Sequence, residues 1–101
     1  MGYFTGYIGT YGSPHSYGIY RFALDAVDGS MSTPEPFLPV HDSKYLALRE
    51  DGVLASVMQN EQGAGLFLAK LQDLPHAQRE LLTEAGAGCH VALSATHAYT
   101  A

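Results

Sequence analysis

The chain is 101 residues long and carries 5 Lys+Arg against 10 Asp+Glu, a formal net charge of −5 at pH 7, with a sequence pI near 5.3. At 47% hydrophobic and 15% charged residues it is not a disordered polyelectrolyte, and an acidic chain lacks the basic footprint that counterion-release binding to nucleic acid needs. No run approaches the ~18 consecutive apolar residues of a membrane span, and a single cysteine, Cys89, excludes an internal disulfide and a cysteine-rich zinc site.

Tyr3 to Tyr11 is dense in aromatic and β-branched residues, and Tyr7 to Tyr11 reads as a strand. Gly12 to Ser16 has the composition of a loop. Gly18 to Asp25 alternates, with Tyr20, Phe22 and Leu24 making one apolar face, so a strand packed on one side is expected. Asp28-Gly29-Ser30 is a hairpin signal, and Pro34, Pro36 and Pro39 keep the next stretch irregular or at a sheet edge. Lys44 to Leu48 is a strand, Glu50-Asp51-Gly52 turns the chain, and Val53 to Met58 returns. Gln59 to Gly63 reads as a loop and Leu66 to Leu71 as the following strand. Gln72 to Leu82 holds good helix formers after Pro75, but a loop followed by a short strand fits the flanking pattern better. Eleven Gly and five Pro among 101 residues, with short aliphatic and aromatic runs between them, make the chain all-β.

The spacing of these runs is regular. Tyr45-Leu46-Ala47-Leu48, a turn and Val53-Leu54-Ala55 match His90-Val91-Ala92-Leu93, a turn and Ala98-Tyr99-Thr100, at an offset of 45 residues. Gly18-Ile19-Tyr20 matches Gly65-Leu66-Phe67 at an offset of 47. A period of ~40–50 residues carrying about four short strands is the blade spacing of a β-propeller, in which each sheet is covered only by its neighbours.

Five stretches, in order, carry a resemblance to a known family: Tyr7 to Tyr11, Gly18 to Asp25, Ser43 to Leu48 with Asp51-Gly52, Asn60-Glu61, and Gly86 to Leu93. Together they make the chain similar to the amino-terminal part of the seven-bladed β-propeller lactonase family, of which 6-phosphogluconolactonase is the named activity and a muconate cyclase a relative. The sequence departs from the family pattern at three places. Gly88 stands where Pro usually precedes the Cys-His pair, Arg49-Glu50 replaces Ser-Pro before Asp51-Gly52, and Ser94-Ala95-Thr96-His97 lacks the Asp-Gly turn. At ~45 residues per blade, residues 1–101 are expected to form one incomplete propeller domain of about two blades and the start of a third. Ala98 to Ala101 ends inside a strand pattern, so a partial chain is expected, whose remaining blades or self-association must cover exposed faces.

The resemblance implies hydrolysis of a sugar lactone, 6-phospho-glucono-lactone to 6-phosphogluconate in the pentose phosphate pathway, without a cofactor. A non-catalytic propeller that binds a ligand or protein, and a muconate-cyclase-like relative, are the alternatives. Opening a lactone needs a base for water and donors for the oxyanion. His90 suits the base and matches the family's motif histidine, although it is equally compatible with a hydrogen bond to a neighbouring blade. Glu61 is a second candidate base or orienting group, and Asn60 and Tyr11 are candidate substrate-binding residues. Cys89 and His90 are consecutive strand residues pointing to opposite faces, which argues against a nucleophilic dyad. His15, His41, His76 and His97 show no metal-ligand spacing, and no Gly-x-Ser-x-Gly elbow is present. Met1 to Gly6 shows neither a signal-peptide pattern nor a myristoylation site, and the expected location is the cytoplasm.

Overall fold

The computed structural model describes residues 3–13, 15–74, 76, 78–84, 86 and 88–101. Nine strands run in chain order: β1 Tyr3–Ile8, β2 Ile19–Asp25, β3 Glu35–Leu38, β4 Leu46–Leu48, β5 Val53–Asn60, β6 Gly63–Lys70, β7 Gln78–Glu84, β8 Val91–Leu93 and β9 Ala98–Thr100. They form three antiparallel meanders, β1-β2-β3, β4-β5-β6-β7 and β8-β9. The all-β expectation is met; the one helical element among the described residues is a 3₁₀ turn over Leu71–Asp73.

Several boundaries differ from the sequence reading. The first strand is Tyr3–Ile8 rather than Tyr7 to Tyr11, because at Gly9 the backbone leaves β2 and passes against the Ser43 carbonyl. The 59–63 loop shrinks to a two-residue turn, since β5 and β6 pair through Asn60 opposite Gly63. The ambiguous 72–82 stretch resolves into the 3₁₀ turn and then β7, which pairs with β6; Pro75 lies outside the described residues. Pro36 sits in β3, an outer strand, where no ladder donor is needed from it.

The second meander is buried on both faces, and β5 shows why its sequence is nearly continuous apolar. Leu54 and Met58 join Ile19, Leu38, Val40, Phe67 and Ala69 in a core shared with the first sheet. The intervening Ala55 and Val57 join Leu66 and Val91 in a core shared with β8. Period-2 alternation sends successive side chains to opposite faces, so one strand serves two interfaces. Full burial of Ile19, Leu54 or Met58 contributes about 1.5–3 kcal/mol each. Ser56, fully buried between them, is satisfied by donating its hydroxyl to the Val57 carbonyl at 2.6 Å.

The 47-residue repeat has a conformational basis. Gly18, just before β2, and Gly65, near the start of β6, have φ of +135° and +158°, and a Cβ at either would run into the backbone of the adjoining outer segment, Val40 and Leu38 for Gly18 and Leu81 for Gly65. Both pairings shift register there. A bulge that presses the inner strand onto the outer one needs glycine. This equivalence maps β1-β2-β3 onto β5-β6-β7, so the first sheet has no counterpart of β4 among the described residues. The free edge of β1 leaves Tyr3 and Phe4 74% and 63% exposed.

The 45-residue repeat is tied by a hydrogen bond. Arg49, in the turn after β4, donates from Nη1 to the Ser94 carbonyl at 2.6 Å, the position one repeat later. Its Nε and Nη2 grip both oxygens of Asp51 at 2.8 Å, which aims the guanidinium across the gap between sheets.

Two outcomes are expected. With an open β1 edge and half-covered outer sheets, the isolated 101-residue chain should associate or melt broadly rather than show a concentration-independent two-state transition, as read by calorimetry with sedimentation. The hydrogen bond from Arg49 holds the Asp51 carboxyl below its ordinary value of 3.8. A depressed carboxyl stabilises the folded state at neutral pH and loses that contribution as pH falls through its folded value, so the stability difference between the native chain and Asp51→Asn should shrink below about pH 4. The pair is exposed, and the effect is therefore small.

Candidate functional site

Antiparallel connectivity decides which loops share an end. β1 runs toward Ile8 and β2 returns from Ile19, opposite Leu38 of β3. The 39–45 segment then enters β4, β5 ends at Asn60, and β7 leads through the 85–90 stretch into β8. The 9–18 loop, the 39–45 loop, the Glu61-Gln62 turn and His90 therefore lie at one end of the three sheets. Tyr11, Asn60, Glu61 and His90, separated by as many as 79 positions, are all brought to this end. The Arg49 turn lies at the other.

The 39–45 loop is the hub. Ser43 is fully buried and its Oγ accepts the Thr10 N–H at 3.3 Å. Asp42, the one described non-glycine residue with positive φ, at +59°, accepts the Gly12 N–H on Oδ1 at 3.0 Å. The Gln59 N–H donates to the His41 carbonyl at 3.1 Å. These bonds fasten the loop to both flanking sheets and fix the side chains it carries.

Three small groupings result. Tyr11 is 73% exposed, and the Lys44 ammonium lies 5.9 Å from its ring centroid. Asn60 and Glu61 line a cleft of about 610 Å³ with His41, Gln59 and Gln62. Asn60 is spent partly on local structure, because its Oδ1 accepts the Gln62 N–H at 2.9 Å and tightens the turn that presents Glu61 to solvent. His90 is exposed, and its ring rests against Tyr45 with centroids 4.5 Å apart at 48°. This pair opens a second groove, about 690 Å³, between β4 and β8. Glu61 and His90 thus share an end of the molecule but line different clefts.

Sequence reasoning passed over His41, Lys44 and Tyr45. His41 Nδ1 lies 2.6 Å from the Gln59 carbonyl. A carbonyl only accepts, so Nδ1 is the donor of this bond. Tyr45 was within reach of the repeat: it occupies the position equivalent to His90 one period earlier, and the two equivalent rings are those that meet. Nothing in the sequence marks His41, and Lys44 stands out only as part of the matched stretch Ser43 to Leu48, because the neighbours of both lie far along the chain. Gly86 is exposed and Gly88 packs under Thr100; Ala87 of that stretch lies outside the described residues. Among the described residues no three His, Cys, Asp or Glu side chains converge as a metal site requires, and no helix is long and apolar enough to cross a membrane.

Comparison with known proteins bears on this arrangement. The family model described as lactonase, 7-bladed β-propeller, matches residues 5–101. The chain belongs to that family. It is 32% identical over 98 residues to an uncharacterized protein of Staphylococcus aureus strain MSSA476, covering 94% of this chain and 28% of the relative. An uncharacterized protein of strain USA300 is 31% identical over the same share of each. The chain thus spans a little over a quarter of the length of the curated relatives it matches. No solved structure matches it. The fold class is that of the lactonase propeller, and the three meanders are the pieces of it that this chain builds.

Removing the aromatic contact should be visible directly. In Tyr45→Leu, the His90 ring-proton resonances should move downfield in NMR as the ring current of the tyrosine is lost, while the resonances of His41 stay in place.

Proposed function

We propose that this chain forms the first two blades and the start of the third in a cytoplasmic lactone hydrolase, with 6-phospho-glucono-lactone as substrate and 6-phosphogluconate as product. The observation that carries the reading is the lactonase-family match over residues 5–101, in a chain whose motif residues gather on one rim. The remaining blades would close the ring and supply the rest of the channel wall.

The chemistry asked of this rim is modest. An imidazole nitrogen of His90 takes a proton from water as the water oxygen adds to the lactone carbonyl carbon. The tetrahedral oxyanion collapses with cleavage of the bond to the ring oxygen, and the proton passes to that oxygen to leave the open hydroxy acid. Tyr45 holds the imidazole of the exposed His90 by ring contact, with centroids 4.5 Å apart. Glu61 serves as a second proton acceptor or orients water at the neighbouring cleft. Asn60 and Tyr11 contribute a side-chain amide and an aromatic surface to the sugar ring. No cofactor takes part in this scheme.

A second reading, a propeller that binds a ligand or protein without hydrolysing it, is favoured by the separation of Glu61 from His90 into different clefts. The deciding assay is hydrolysis of sugar lactones by the full-length protein and its His90→Ala variant. Loss of the general base should lower kcat by about 10²–10⁴-fold with little change in KM. A protein inert on every sugar lactone would favour the binding reading. An active protein whose His90→Ala variant keeps its full rate would remove His90 from the site and leave the hydrolase standing.

A further inference from the structure

We propose that Lys44 is the residue that recognises the anionic group of the substrate, a phosphate or carboxylate carried on the lactone; this rests on the lactone-hydrolysis reading and adds to it a determinant of specificity.

The chain has five Lys and Arg residues, all of them described. Arg21, exposed on β2, lies over the Phe37 ring, 4.6 Å from its centroid. Arg49 is committed to Asp51 and Ser94 at the opposite end. Lys70 pairs opposite Val53 at that same far end, and Arg79 sits on β7 opposite Leu68. Lys44 is the one permanent cation on the loops where Tyr11, Asn60, Glu61 and His90 gather. Arg79 comes nearest otherwise, sharing a cleft with Pro39 and Val40, but it is borne by an outer strand, whereas Lys44 is borne by the rim loop itself.

The local structure holds Lys44 for that task. Ser43 before it is buried and bonded to the Thr10 N–H. Tyr45 after it turns toward His90, whereas Lys44 is directed to the Tyr11 ring on the other side. The side chain is only 23% exposed, so its stem is packed while its ammonium reaches the rim. Asp42 Oδ2 stands 3.6 Å from Nζ, longer than a good hydrogen bond, and the other oxygen of Asp42 is occupied by the Gly12 N–H. Asp42 therefore acts as a strut. An ammonium has three donors, and this carboxylate can engage one of them, leaving the others for a ligand. At 3.6 Å the contact is loose, so a ligand dianion can compete with Asp42 for the same charge. The neighbouring Tyr11 ring gives the ligand's carbon frame a surface beside the cation.

The test compares full-length protein with Lys44→Met and Lys44→Arg on three lactones: one phosphorylated, one bearing a carboxylate and one uncharged. The expected result is that Lys44→Met lowers kcat/KM for the lactone with the recognised anion about 10- to 100-fold relative to the uncharged lactone, through KM, the loss of a charged hydrogen bond. Lys44→Arg should restore most of that ratio, which a folding defect would not allow. Selective loss on the phosphorylated lactone identifies phosphate, and selective loss on the carboxylated one identifies carboxylate. Ratios unchanged for both overturn the proposal. If the native protein hydrolyses none of the three, the functional reading fails, and Lys44 is then judged by calorimetric titration with inorganic phosphate and acetate. Binding of either by the native protein that Lys44→Met abolishes keeps the assignment; no binding, or equal binding by the variant, ends it.

Discussion

Everything at the rim depends on one constraint: each sheet of this chain can bury its apolar faces only against the sheet before and the sheet after it. Leu54, Met58, Phe67 and Ala69 on one face of the second sheet close against Ile19, Leu38 and Val40, and Ala55, Val57 and Leu66 on the other close against Val91. Once those two contacts form, the connections between sheets are forced to cross at one end, and the 39–45 loop is trapped between the 9–18 loop and His90. The buried Ser43 and the left-handed Asp42 are the local consequence of that confinement. A non-glycine residue in the αL region costs of order 1–3 kcal/mol, and here the hydrogen bond from Gly12 and the packing of Ser43 hold it.

The same constraint explains why the repeat is imperfect. Positions facing a neighbouring sheet keep their character, as Leu46 with Val91 and Gly18 with Gly65 do. Positions on the rim are free to diverge, so Lys44 and Tyr45 in one unit correspond to Cys89 and His90 in the next. A fold built by repetition becomes chemically differentiated at its loops, while the strands keep the apolar pattern that sheet packing needs. In this chain that divergence sets a phenol ring against an imidazole, out of residues that occupy equivalent places.

Much of the fold was legible from residue order because the signals were local. Apolar runs bounded by Asp28-Gly29 and Asp51-Gly52 gave the hairpins, and the period marked units that the three meanders reproduce. The 72–82 stretch was less legible: its helix-forming residues have a real intrinsic preference, which pairing with β6 overrides. The Gln59 to Gly63 stretch looked like a loop because Gly63, Gly65 and Gln62 are turn formers, yet the glycines serve the bulge against Leu81 instead. Glu61 and His90 were both found by motif, but their placement in separate clefts could not be, since it follows from where β5 ends relative to where β8 begins.

By itself the sequence determined that this is an all-β chain of repeated hairpins with an aliphatic interior, since alternation, turn residues and spacing are properties of neighbours along the backbone. It also determined Tyr11, Asn60, Glu61 and His90 as residues of interest, through their place in ordered motifs. Only the tertiary structure decided that these positions share one end, that Tyr45 backs His90, that His41 bonds the Gln59 carbonyl, and that Lys44 lies beside Tyr11. Each of those facts rests on contacts between residues 18 to 45 positions apart or more, and such contacts exist only after the sheets have packed face to face.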